Sequence, residues 1–193
     1  MAAAALYLLY PSIPMIFMGE EFASESPFLF FVDFKDPWVR DAVEKGRAGE
    51  FPELSKKLGG LSPLDDDAFY RSKLAARADG DMEVWRWYQS LISLRKELRQ
   101  SGVIDQAKLK ITCEPEVGLF QLVYGMADKA DLFVAIRLGE KKEQSATTIE
   151  IGGQGELVMD SSGATEAAGS DDEKTWHIGV NQAVVFRQFR FGK

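Results

Sequence analysis

Glu20 and Glu21 are the residues of this chain best placed to do chemistry. They follow a short apolar run, Ile13 to Met18, closed by Gly19, and lead into a loop carrying Phe22, Pro27, Phe28, Phe30 and Phe31. A run that is apolar throughout predicts a strand covered on both faces. Carboxylates at the carboxyl end of a buried parallel strand sit where α/β enzymes place ligand contacts. Aromatic rings beside them suit the apolar faces of sugars. The segment therefore points to sugar handling. A catalytic pair does not follow, because adjacent strand residues face opposite ways and cannot flank one bond together. Two readings stay open. One carboxylate pairs with a neighbouring Arg or Lys while the other meets solvent or sugar hydroxyls, or the pair makes a direct sugar contact.

Composition narrows the chemistry. The net charge of −7 argues against a nucleic-acid partner, which needs a basic face. Cys113 is the single cysteine and His177 the single histidine, so cysteine- or histidine-rich metal sites are not expected and no internal disulfide forms. Neither a cofactor nor a metal is expected. Asp65, Asp66 and Asp67 stand where a helix begins and suit its positive end; a metal there would need further oxygens. His177, between Trp176 and Ile178, reads as an ordinary strand residue, and Cys113 as a small core residue.

The first 18 residues hold no charge. A signal peptide would start with a basic segment, and a membrane span would need roughly 20 uninterrupted apolar residues. Pro11 and Pro14 break the run, so a buried helix from Ala2 to Tyr10 and then a buried strand are expected. An apolar helix starting at Met1 with no capping residue looks like a chain cut within a larger fold. A helix is expected from Pro37 to Lys45, capped by Asp36 and stopped by Gly46, then short helices near Glu53 to Leu58 and Ala68 to Leu74. Val84, Tyr88, Leu91, Leu94 and Leu98 form one apolar stripe and predict a helix over 82–100, with Arg95, Lys96 and Arg99 at its negative end.

After Gly102 the pattern becomes β. Short β-branched and aromatic runs cover Lys108–Cys113, Leu119–Tyr124, Leu132–Leu138, Thr147–Ile151, Glu156–Met159, Thr175–Ile178 and Ala183–Phe189. Their spacing predicts an antiparallel sandwich, with 160–174 as an acidic loop. The first part has one strand and nothing to pair it with before residue 108, although a strand's backbone groups need partners.

A resemblance accounts for that imbalance. Ser12 through Glu21, with x-Pro, an apolar stretch, Gly and an acid pair, resembles the eighth strand of the (β/α)8 barrel in the α-amylase superfamily. Pro27 through Phe34, Val43 through Arg47, Glu50-Phe51 and Phe69 through Leu74 resemble the maltooligosyltrehalose trehalohydrolase family. The likeness departs at Phe34, where the family often has His, and at Ala75-Ala76, where it usually has Trp. It implies an α+β chain: the last strand and helices of a (β/α)8 glycosidase barrel over 1–102, then a β-sandwich over 103–193. It also implies release of trehalose from maltooligosyltrehalose, using carboxylates on earlier barrel strands that this chain does not carry. No catalytic residue is therefore assigned, and inactivity alone is expected. Glu20, Glu21, Phe28, Phe31 and Asp33 are the expected substrate contacts. The expected partners are a maltooligosaccharide or trehalose-capped glucan, and either the remaining barrel or a second copy bound through residues 1–18, with no membrane and a cytoplasmic setting. The competing expectation is a non-catalytic carbohydrate-binding or assembly module whose sandwich presents Trp176 and Tyr124 to sugar.

Overall fold

Seven strands build the second half of the chain: β1 (Leu109–Glu114), β2 (Leu119–Gly125), β3 (Lys129–Arg137), β4 (Ile149–Asp160), β5 (Ala167–Gly169), β6 (Lys174–Ile178) and β7 (Gln182–Phe191). The computed structural model describes residues 1–57, 59–74, 79–125, 129–139, 149–162, 167–169 and 174–191. Leu58, Ala75-Ala76, Thr147 and much of the expected acidic loop lie outside the described residues. The strands pair antiparallel in the order β1-β2-β3-β7-β4-β6-β5. Strand β4 serves two sheets: Ile149–Gly152 pairs with β6 and Gly153–Asp160 with β7. The sequence reads this strand as two runs because Gly152-Gly153-Gln154-Gly155 looks like a turn. It is continuous strand instead. Gly153 has φ +152°, and a Cβ there would lie 2.5 Å from the Arg190 carbonyl and the Phe189 ring. Strand β5 falls in the segment expected to be loop.

Alternation along β2, β3 and β7 sorts their side chains onto two faces. Leu119, Val123, Phe133, Ala135, Val184, Phe186 and Phe189 pack with Ile151, Trp176 and Ile178 between the two layers of the sandwich. Leu122, Tyr124, Leu132, Val134, Ile136, Ala183 and Val185 pack the other way, against helices α1 (Ala2–Leu9) and α5 (Met82–Gln100). Fully burying each large apolar side chain contributes about 1.5–3 kcal/mol. The expected stripe of α5 is the buried one: Tyr88, Leu91, Leu94 and Leu98, joined by Trp87.

Helix α1 has no polar face, so its ends are secured from outside. The Trp87 indole donates to the Met1 carbonyl (2.9 Å), the Tyr7 hydroxyl donates to that of Tyr88 (3.0 Å), and the Tyr124 hydroxyl donates to the Leu9 carbonyl (2.6 Å). Arg95 reaches across from α5 and donates to the carbonyls of Leu8, Tyr10 and Ser12. Its charge thus serves the negative end of α1 rather than that of its own helix.

Contacts divide the chain into Met1–Met15 with Glu83–Lys193, and Ile16–Met82. Compactness therefore does not part at residue 102, because α1 and α5 bury their apolar surface on the sandwich. Within residues 1–18, the segment expected to associate with the remaining barrel or a second copy, Ala2, Ala4, Ala5, Leu8 and Leu9 are buried in their own unit. Residues 13–18 are neither strand nor buried. Ile13 is 95% exposed and Met15 87%. Among the described residues no strand lies beside this segment to bond its backbone, and Pro14 has no N–H to offer.

The second unit contains α2 (Pro37–Glu50), α3 (Pro52–Lys57) and α4 (Asp66–Arg71). Asp36 caps α2 by accepting from the amides of Trp38 (2.8 Å) and Val39 (3.4 Å). Gly46 does not stop this helix. It continues to Glu50 and ends at Phe51, where Pro52 restricts the preceding residue. Among the described residues of this unit the buried side chains are few: Phe22, Leu29, Ala68 and Ser72.

Candidate functional site

The acid pair is held in a tight turn. Gly19 adopts φ +89°, and a Cβ there would meet Leu74 at 2.8 Å and Ser24 at 2.9 Å, so glycine is needed both for conformation and for space. Glu20–Phe22 then form a single 3-10 turn. The Glu21 carboxylate accepts from the Gly19 amide (3.0 Å), and the Gly19 carbonyl accepts from the amides of Phe22 (3.3 Å) and Ser24 (2.9 Å). Phe22 is buried beneath the turn, its carbonyl accepting from Asp81 N–H (2.8 Å). Glu20 and Glu21 are partly buried neighbours in a turn, not successive residues of a strand. One carboxylate is already committed to the local backbone.

The loop after the turn displays its rings outward. Phe28 is 61% exposed and Phe31 39%, Asp33 is exposed, and Leu29 between them is buried. Phe28 meets Phe17 edge to face, with centroids 5.1 Å apart, and Phe31 meets Phe69 at 5.2 Å. Phe69 in turn meets Tyr70 at 5.4 Å, and the Lys73 ammonium lies 4.7 Å from both ring centroids. Arg47 sits over Phe30 (4.3 Å) and Phe51 (4.6 Å). Charged groups beside open aromatic surface can bind a neutral, hydroxyl-rich ring by stacking plus hydrogen bonds.

Phe69, Tyr70, Lys73, Arg47, Phe30 and Phe51 were not among the expected contacts. A usable signal exists in their spacing. Arg47 and Phe51, and Phe69 and Lys73, are four apart, while Tyr70 and Lys73 are three apart, the separations that meet on a helical turn.

Among the described residues no group of three His, Cys, Asp or Glu side chains could hold a metal. Asp65 instead accepts from the Ser62 amide (2.9 Å), and Asp66 and Asp67 occupy the first turn of α4. In the other unit, Tyr124 is fully buried and Trp176 donates to the Gly153 carbonyl (3.2 Å) from within the core, so neither offers a sugar platform. Cys113, expected in the core, is exposed on β1, which has β2 on one side only.

No family model matches the chain. Curated malto-oligosyltrehalose trehalohydrolases do match. That of Saccharolobus solfataricus is 41% identical over 109 residues, covering 56% of this chain and 18% of the relative. That of Arthrobacter ramosus is 32% identical over 128 residues, covering 64% of this chain and 22% of the relative. The chain thus spans about a fifth of the length of the curated relatives it matches. A crystal structure of a putative α-amylase from Salmonella typhimurium superposes with a TM-score of 0.66 at 23% identity, covering 97% of this chain and 30% of that one. An α-amylase from H. orenii superposes with a TM-score of 0.53 at 15% identity, covering 97% of this chain and 34% of that one. The fold is that of the corresponding portion of α-amylase family structures, and the resemblance in sequence is to trehalohydrolases.

Proposed function

We propose that this chain is the C-terminal portion of a trehalohydrolase-like α-glucan hydrolase, with barrel-derived residues 1–102 and a sandwich over 103–193. Glu20, Glu21, Phe28, Phe31 and Asp33 contact a maltooligosaccharide or trehalose-capped glucan, in a cytoplasmic enzyme. The observation that carries this reading is the coincidence of the trehalohydrolase matches with an acid turn and a loop of outward-facing rings. The 193-residue chain is inactive by itself, because a glycosidase needs two carboxyl groups flanking the scissile bond. Glu20 and Glu21 share one turn, and Glu21 bonds to its own backbone.

The exposed stretch 13–18 favours a supporting element of this reading, association with the remaining barrel or with a second copy, since such apolar surface marks an interface. Two measurements test the proposal. Calorimetric titration with maltoheptaose is expected to give saturable binding that Phe28→Ala weakens; no saturation at millimolar sugar refutes the contact. Incubation with maltooligosyltrehalose is expected to release no trehalose; release by the purified chain refutes the claim of inactivity.

A further inference from the structure

The loop that carries Phe28 and Phe31 has no regular structure, yet its rings hold fixed neighbours. Something must set its backbone. Two bonds do so: the Val32 amide donates to the Pro63 carbonyl (3.0 Å), and the Leu29 amide donates to the Ser72 hydroxyl (2.9 Å). Ser72 is 5% exposed and ends α4, donating to the Ala68 carbonyl (2.7 Å), with the Leu29 carbonyl 3.4 Å away. A buried hydroxyl is used on both its donor and acceptor sides, as burial requires. The residue it grips, Leu29, is the buried one directly after Phe28 and two before Phe31. The partner of Phe31, Phe69, stands on the same short helix, three residues before Ser72.

We infer that Ser72 is a positioning residue for glucan recognition: it fastens the loop to α4 so that Phe28 and Phe31 present their rings in a fixed arrangement, with Phe69 backing Phe31. This rests on the glucan contact proposed above. Ser72 touches no sugar itself and acts through the Leu29 backbone. Without its hydroxyl, the Leu29 amide loses its acceptor and the rings sample several orientations, so binding must bear the ordering cost.

The test is a double-mutant cycle on the 193-residue chain, read by calorimetry with maltoheptaose. Ser72→Ala is expected to weaken affinity about three- to tenfold, and Ser72→Cys, which keeps a weaker acceptor of similar size, to fall between it and the parent. In a Phe28→Ala/Phe31→Ala background, Ser72→Ala is expected to cost nothing further. Amide hydrogen exchange is expected to speed at Leu29 while the amides of β3 and β7 keep their protection. Equal losses in both backgrounds overturn the inference, since they show general loosening. Full affinity in both Ser72 variants, with weakened Phe28→Ala/Phe31→Ala, also overturns it. If Phe28→Ala/Phe31→Ala binds like the parent, the glucan contact itself has failed and the inference falls with it. Should Ser72→Ala unfold its unit, the Ser72→Cys cycle gives the same decision.

Discussion

The two units use aromatic residues in opposite ways. In the sandwich unit Tyr124, Phe133, Phe186 and Phe189 are fully buried; in the other unit Phe28, Tyr70 and Trp38 are 59–77% exposed. The difference follows from local geometry. A strand alternates, so each of its rings meets one of two covered faces, the second layer or the pair of helices. The loop that carries Phe28 and the six-residue α4 that carries Tyr70 have no face long enough to bury those rings, and Trp38 stands exposed in the first turn of α2. One unit thus gains its stability from its rings, and the other keeps its rings available for contact.

Phe186→Ala gives the largest break in this contrast. It empties the middle of the interlayer core, where Phe133, Phe189 and Trp176 all contact the lost ring. It is expected to cost about 3–5 kcal/mol in urea unfolding followed by far-ultraviolet circular dichroism. Arg95→Met comes next. It keeps the buried stem but frees the carbonyls at the end of α1, and a loss of about 2–3 kcal/mol is expected in the same measurement.

Tyr124→Phe is smaller, about 1–2 kcal/mol, from the lost bond to the Leu9 carbonyl. It also carries a pH signature. Burial first, opposed by the charge of Arg95, pushes the Tyr124 hydroxyl above its ordinary range. The folded state therefore holds this proton more tightly than the unfolded chain does. The associated stability is complete below the ordinary tyrosine value of about 10 and is lost as pH climbs through the folded value. Melting profiles above that pH are expected to fall for the parent chain and to flatten for Tyr124→Phe. An unchanged alkaline slope would remove this contribution.

Asp36→Ala sharpens the contrast from the other side. The cap serves α2 alone, so a cost of about 1 kcal/mol is expected, seen as faster amide exchange in Trp38 to Arg40 with the sandwich strands unaltered. Phe28→Ala is expected to move stability by less than about 0.5 kcal/mol, because its ring is already mostly in water. Weakened maltoheptaose binding at unchanged melting temperature would set recognition apart from stability.

Much of the sandwich was legible in the sequence, and the site only in outline. β1, β2, β3 and β7 announce themselves through β-branched and aromatic runs, and α5 through its stripe. β4 did not, since glycines that permit a close approach look like glycines that make a turn. β5, Ala-Ala-Gly, has no strand-forming residue to reveal it. Residues 13–18 carry the composition of a buried strand, but a strand is a property of neighbours as well as of residues, and among the described residues none is paired with it. At the candidate site, Phe28, Phe31 and the acid pair stood out by residue type alone. The inward role of Ser72 depends on a bond to Leu29, 43 residues away, and the pairing of Phe31 with Phe69 on a contact between separate segments, which no local pattern encodes.

The change of partner along β4 at Gly153 has a consequence for how the sandwich comes apart. One strand is stitched into both sheets, so separation of either sheet loads the other. Loosening β6 pulls on the Gly153 carbonyl that Trp176 holds, and so on the strand paired with β7. The two layers are therefore expected to come apart together, in one cooperative event.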